Sequence, residues 1–192
     1  MTGRLPLAIA ALSGFDAAVR EAAARELFDA GRTLAEPVVR VWRAEAELAG
    51  LIGGESPQIT VGVAVEPMTF ARIRAANGSP LLARVPAEQD AAEFELHFTG
   101  GISLDILTTI QPGGPGAIAR YLKKFGEGIQ QVEYRTTDVD RSTLILKEKF
   151  GLPPVYAETR AGANGTRVNF FLTSTPNGAK VLIELYEPPA PS

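Results

Sequence analysis

The chain has 192 residues, of which 45% are hydrophobic and 21% charged, with a formal net charge of −3 at pH 7. That balance suits one globular domain, or a domain with an added segment, and it is wrong for disorder. It gives no electrostatic reason to expect nucleic acid or an anionic membrane as partner, and the absence of cysteine removes disulfide and thiolate chemistry, in keeping with a reducing compartment.

The opening MTGRLPLAIAALSG has a short apolar run behind Arg4, but Phe15 to Leu27 lead straight into an Ala-rich charged helix. It therefore reads as part of the protein rather than as a signal peptide. No run of about 20 apolar residues is present to span a bilayer, so a soluble, cytoplasmic protein is expected. Residues 16 to 31 place Ala18, Val19, Ala22, Ala23 and Leu27 at helical spacing, and Gly31 reads as the C-terminal stop. Residues 33 to 52 place Val38, Val39, Trp42, Leu48 and Leu51 on an apolar face, with Pro37 suited to a first turn. An N-terminal helical hairpin is expected over 1–54, either as a lid or as a homodimer interface, with Trp42 as an anchor.

After Gly54 the texture turns to β. QITVGVAVE (58 to 66) reads as a strand and PMTFARIRAANGS as a short helix. EFELHF (93 to 98) and ISLDILTT (102 to 109) alternate with period two around the hairpin signal Gly100-Gly101. QPGGPG (111 to 116) is a hinge that leads into the short helix AIARYLKKFGEG.

The pattern then repeats. IQQVEYRTT (129 to 137) reads as a strand, Asp138 as the N-cap of a helix, and Gly151 as its end. Strands follow at 154 to 159, 167 to 174 and 180 to 187, and the tail PPAPS stops the last. The expected organisation is thus a helical segment over 1–54, a first βαβββ module over 55–110, a hinge and linker helix over 111–127, and a second module with its tail over 128–192. The fold class is α+β with an internal repeat.

The second half also resembles a known family. GEGIQQVEY, the following TDVD, and ETRAGANGTRVNFFLTSTPNGAKVLIELYE look like the C-terminal half of a vicinal oxygen chelate protein. The pattern is most similar to the methylmalonyl-CoA epimerase and lactoylglutathione lyase (glyoxalase) branch. The resemblance spans about residues 57 to 187 and implies paired βαβββ modules forming a cup-shaped mixed sheet around a divalent metal. Carried over strand by strand, it puts the family's four ligand positions at Thr60, Asp105, Gln131 and Glu184. Only Glu184 matches the commonest family residue, and Gln131 stands where a histidine is usual.

A set with two carboxylates, an amide, a hydroxyl and no imidazole suits Mg²⁺, Mn²⁺ or Ca²⁺ better than Zn²⁺ or Fe²⁺. Asp105, Gln131 and Glu184 are the expected metal ligands, and Glu133 and Glu184 the catalytic carboxylates. Glu133, two residues from Gln131, is a base or an added ligand, and either a cation or Arg135 should compensate the crowded charge. Thr60, Arg135, Asn169, Phe171 and Tyr186 are the expected lining of the cup. His97, the only histidine, shares a strand face with Glu95, and a lone histidine excludes any paired-histidine metal motif.

Two functions follow. One is a metal-assisted lyase, isomerase or epimerase acting on a small oxygenated substrate. The other is a cup that sequesters a small molecule without chemistry, as bleomycin-resistance members of the superfamily do.

Overall fold

Residues 17 to 42 form one helix, not two. The computed structural model describes residues 4–190, so the first three residues of the opening stretch and the last two of the PPAPS tail lie outside the described residues. A short helix α1 (Leu5–Ala11) precedes α2 (Ala17–Trp42), and α3 (Ala46–Leu51) follows. Asp16 starts α2 by accepting a bond from Ala18 N at 2.8 Å. The expected break at Gly31 is absent because this glycine serves packing: a Cβ there would lie 2.6 Å from a methyl of Val61. Pro37 sits inside the helix, where it cannot donate to the preceding turn. The expected helical hairpin is therefore one long helix flanked by two short ones.

The chain divides into two compact units, each made of two separate segments. One comprises the chain up to Gly31 together with Thr60–Gln130, and the other comprises Arg32–Ile59 with the chain from Gln131 onward. The first holds most of β1 (Ile59–Ala64), then α4 (Pro67–Ala76), β2 (Ala91–Phe98), β3 (Ile102–Thr109) and α5 (Ala117–Phe125). Its strands run β2-β3-β1, with β1 parallel to β3 and β2 antiparallel to it. Gly100 and Gly101 turn the β2–β3 hairpin, both at φ above +70°. Val61, Val63, Leu104, Ile106 and Phe94 are buried on one face, where Phe70 of α4 meets the Phe94 ring edge-on at 4.8 Å. On the other face α5 packs Ile118 and Leu122 against Ala64, Ala91 and Leu107.

The second unit repeats the plan with β4 (Gly128–Arg135), α6 (Val139–Phe150), β5 (Arg160–Ala161), β6 (Arg167–Ser174) and β7 (Lys180–Glu187). Its strands run β4-β7-β6-β5, with β4 parallel to β7 and the rest antiparallel. Asp138 caps α6 by accepting from Arg141 N at 2.8 Å, and Gly151 ends it in the left-handed region. Trp42 of α2 packs edge-on against Phe171 at 6.1 Å, so this helix docks on the sheet. Arg141 and Lys149 of α6 pair with Glu47 and Glu45 at 2.5 and 2.6 Å.

The strand expected at 154–159 does not form. Pro153 and Pro154 cannot donate to a ladder, and the segment contributes the bond from Val155 N to Phe170 O. The first unit behaves alike: between Pro80 and Pro86 the chain runs past β2 with the bond from Ala83 N to Glu93 O, without becoming a strand.

Candidate functional site

In β4 the alternation of side chains puts Gln131, Glu133 and Arg135 on one face and Val132 and Tyr134 on the other. The parallel register sets Glu133 directly beside Glu184 of β7. Two carboxylates side by side repel, and both are buried: Gln131, Glu133 and Glu184 are 7%, 8% and 9% exposed. The amide of Gln131 compensates them. Its Nε2 donates to Glu184 Oε2 at 2.6 Å and to Glu133 Oε1 at 3.1 Å. Arg135, on the same face, is exposed and donates from Nη1 to Gln58 Oε1 at 3.1 Å.

Register decides which neighbours share this face. Tyr186 pairs with Arg135 across β4–β7, and Phe170 pairs with Glu184 across β6–β7. Both are half-buried. Asn169 and Phe171, expected beside Glu184, stand on the opposite face, because they pair with Leu185 and Ile183. Phe171 is covered there by Trp42, and Asn169 Nδ2 donates to Tyr156 O at 3.2 Å. The adjacent phenylalanines made the parity ambiguous, and a one-residue slip exchanges the faces. Phe170, rather than Phe171, thus joins Tyr186 on the Glu184 face. It meets Tyr156 edge-on at 5.9 Å, with the Arg160 guanidinium 3.9 Å above the Tyr156 ring.

In the first unit, Thr60 and Asp105 are buried and share a face, since Gly62, two residues from Thr60, pairs with Asp105. Glu95 also pairs with Asp105, and Glu93 and His97 follow on the same side of β2. His97 is exposed; its Nε2 lies 3.0 Å from Glu95 and its Nδ1 lies 3.1 Å from Ser103 Oγ. Sequence reasoning missed Glu93. Burial, aided by the charge of Glu95, pushes its carboxyl up to about 7. The strand alternation gave that glutamate its face, but its burial depends on neighbours distant in sequence.

Among the described residues no group of three or more His, Cys, Asp or Glu side chains is arranged as a metal centre. By donor type, the Gln131 carbonyl and the Glu133 and Glu184 carboxylates fit a hard divalent cation, which takes oxygen ligands, and not zinc. Gln131 presents its NH₂ to both carboxylates, so its amide must turn over to offer oxygen.

The fold is of the vicinal oxygen chelate type, and solved structures similar to it are known. Methylmalonyl-CoA epimerase from Mycobacterium tuberculosis is 29% identical over 68% of this chain and 86% of its own, with a TM-score of 0.54. Methylmalonyl-CoA epimerase from Streptomyces coelicolor, in complex with 2-nitronate-propionyl-CoA, is 27% identical over 68% and 96%, with a TM-score of 0.53. A hypothetical protein from Bacillus halodurans shares the fold at 22% identity, over 72% and 99%, with a TM-score of 0.57. No protein-family model and no curated protein matches the sequence.

Proposed function

We propose that the chain binds a small oxygenated organic acid or thioester on the face that carries Gln131, Glu133 and Glu184, and moves a proton at its carbon acid as an epimerase or isomerase does. The observation that carries this reading is the buried Glu133–Glu184 pair bridged by Gln131, in a fold whose solved neighbours include methylmalonyl-CoA epimerases. Buried carboxylates held in register are suited to act as base and acid at a carbon next to a carbonyl.

In this reading Glu133 takes the proton. Glu184 and Gln131 would hold a hard divalent cation, which when bound would supply a Lewis acid for the substrate oxygen. Arg135 and Tyr186 contact the substrate, and Phe170 adds an apolar wall. The reading includes a homodimer in the cytoplasm that engages neither nucleic acid nor membrane. No helix among the described residues is long and apolar enough to cross a membrane.

One observation favours the second reading, a binding protein without chemistry: the Gln131 amide already serves both carboxylates with its own hydrogens. A single experiment separates the two. Methylmalonyl-CoA in D₂O, with and without Mn²⁺ or Mg²⁺, should exchange its α-proton in the presence of the chain and not of Glu133→Gln. No exchange under any of these conditions overturns the enzyme. If methylmalonyl-CoA then still raises the melting temperature saturably, the binding reading stands; if it does not, that reading falls for this ligand class.

A further inference from the structure

The C-terminal half of α2 lies outside the stretch that resembles vicinal oxygen chelate proteins. Arg32, Glu36, Arg40 and Arg43 recur there at steps of four, four and three, which sets them in one row along the helix. With Thr33 and Pro37 they line a pocket of about 560 Å³, within the range of small-molecule sites. Three arginines stand there against one glutamate. Glu36 engages the Nη2 end of Arg43 at 2.8 Å, which leaves the Nε edge of that guanidinium to another acceptor.

Two buried polar atoms of this unit have no hydrogen-bond partner among the described residues: Arg43 Nε, on the pocket's lining, and the Tyr134 hydroxyl. Tyr134 is fully buried on β4. The charges that act on its hydroxyl are those of Glu36, Arg43 and Arg32, all of which line the pocket. Burial, then Glu36, pushes the phenol up to about 12, so at neutral pH it is protonated and can donate. Native proteins rarely leave buried donors unmatched. The Nε–H and the hydroxyl each lack an acceptor, and the surrounding arginines favour a negatively charged one.

We propose that this pocket binds a small organic anion, carboxylate- or phosphate-bearing, whose oxygens accept from Arg43 Nε and Tyr134 Oη while Arg32 and Arg40 supply the field at the rim. The proposal concerns α2 and the opposite face of β4, so it is independent of the acid–base reading above.

The test is a titration of the full chain with malonate and with pyrophosphate, followed by calorimetry and by melting temperature, against sodium chloride at matched ionic strength. One of the two anions should bind saturably and raise the melting temperature beyond the chloride control; which one does so tells carboxylate from phosphate. Arg40→Glu, at an exposed position, should weaken that binding about tenfold or more. Tyr134→Phe removes only the hydroxyl and should weaken it at least about threefold, without lowering the melting temperature of the ligand-free chain. A response to both anions no larger than that to chloride overturns the proposal, as does saturable binding that either variant leaves unchanged.

Discussion

Gln131 and Glu184 stand 53 residues apart in the chain and meet at 2.6 Å, and the same amide nitrogen reaches Glu133 at 3.1 Å. One neutral side chain thus offers hydrogens to two buried carboxylates that parallel pairing has set side by side. Gln131→Leu leaves both acceptors without that donor and should destabilise the chain by about 1–3 kcal/mol, read as a lower urea midpoint at unchanged slope. An unchanged midpoint would mean that the bridge contributes nothing. Gln131→Glu adds a third carboxylate, so its melting temperature at neutral pH should rise on adding Ca²⁺ or Mn²⁺ more than that of the wild type does.

Glu93 gives the chain a pH dependence of definite sign. Its carboxyl rises from 4.5 to about 7 on folding, so the folded state keeps a proton that the unfolded state has already released. Stability should therefore fall as pH rises from about 4.5 to about 7 and be level above that, by at most about 3 kcal/mol. The groups on its own face are Glu95, His97 and Asp105. In Glu93→Gln this fall should vanish and the variant should exceed the wild type in stability at pH 8. Urea midpoints at pH 5 and pH 8 for both proteins check the sign, and parallel curves would rule the assignment out.

The same substitution at two helical glycines should act in opposite directions. At Gly31 a new Cβ would sit 2.6 Å from a Val61 methyl, whereas at Gly50 of α3 it would meet nothing within 4 Å. Gly31→Ala should cost about 1–3 kcal/mol through overpacking, partly offset by helix propensity. Gly50→Ala should gain about 0.5–1 kcal/mol. Thermal melts of the two variants decide the matter by sign alone.

Trp42 is the only tryptophan, is 3% exposed, and lies edge-on to Phe171. Its emission should be blue-shifted in the folded chain and move to the red on unfolding. Phe171→Leu removes the ring pair while keeping an apolar side chain, and should cost about 0.5–1.5 kcal/mol beyond the lost area. A fluorescence-monitored denaturation reports both at once. Emission already at long wavelength in the native state would show that α2 is undocked in solution.

Local chemistry made much of this fold legible in advance. Asp138 before α6, Gly151 after it, and the Gly100-Gly101 pair each announce a cap or turn by the backbone they permit. The Gln131–Glu133–Glu184 constellation was visible because strand parity puts residues 131 and 133 on one face and the resemblance supplied β7 as the neighbour. What failed depended on contacts that no window of sequence contains. Gly31 looked like a stop signal, and only the approach of Val61 explains it. Phe170 and Phe171 are alike in hydropathy, so pairing alone decides which of them lies beside Glu184. Glu93 carries no signal in its own strand window, and its raised carboxyl follows from burial by neighbours distant in sequence.

The interleaving of the two units bears on how the chain is made. Residues 32–59 leave the ribosome well before Gln131, yet they are partners of the segment that begins there. While Thr60–Gln130 is being synthesised, Trp42 has no Phe171 to meet and the apolar side of α2 waits uncovered. The second unit can form only by closing a long loop, whose entropy must be met before its contacts form. The first unit, complete once Gln130 is out, can assemble ahead of it. Vectorial synthesis therefore favours assembly of the first unit before the second, and until residue 131 emerges the C-terminal part of α2 lacks its partners.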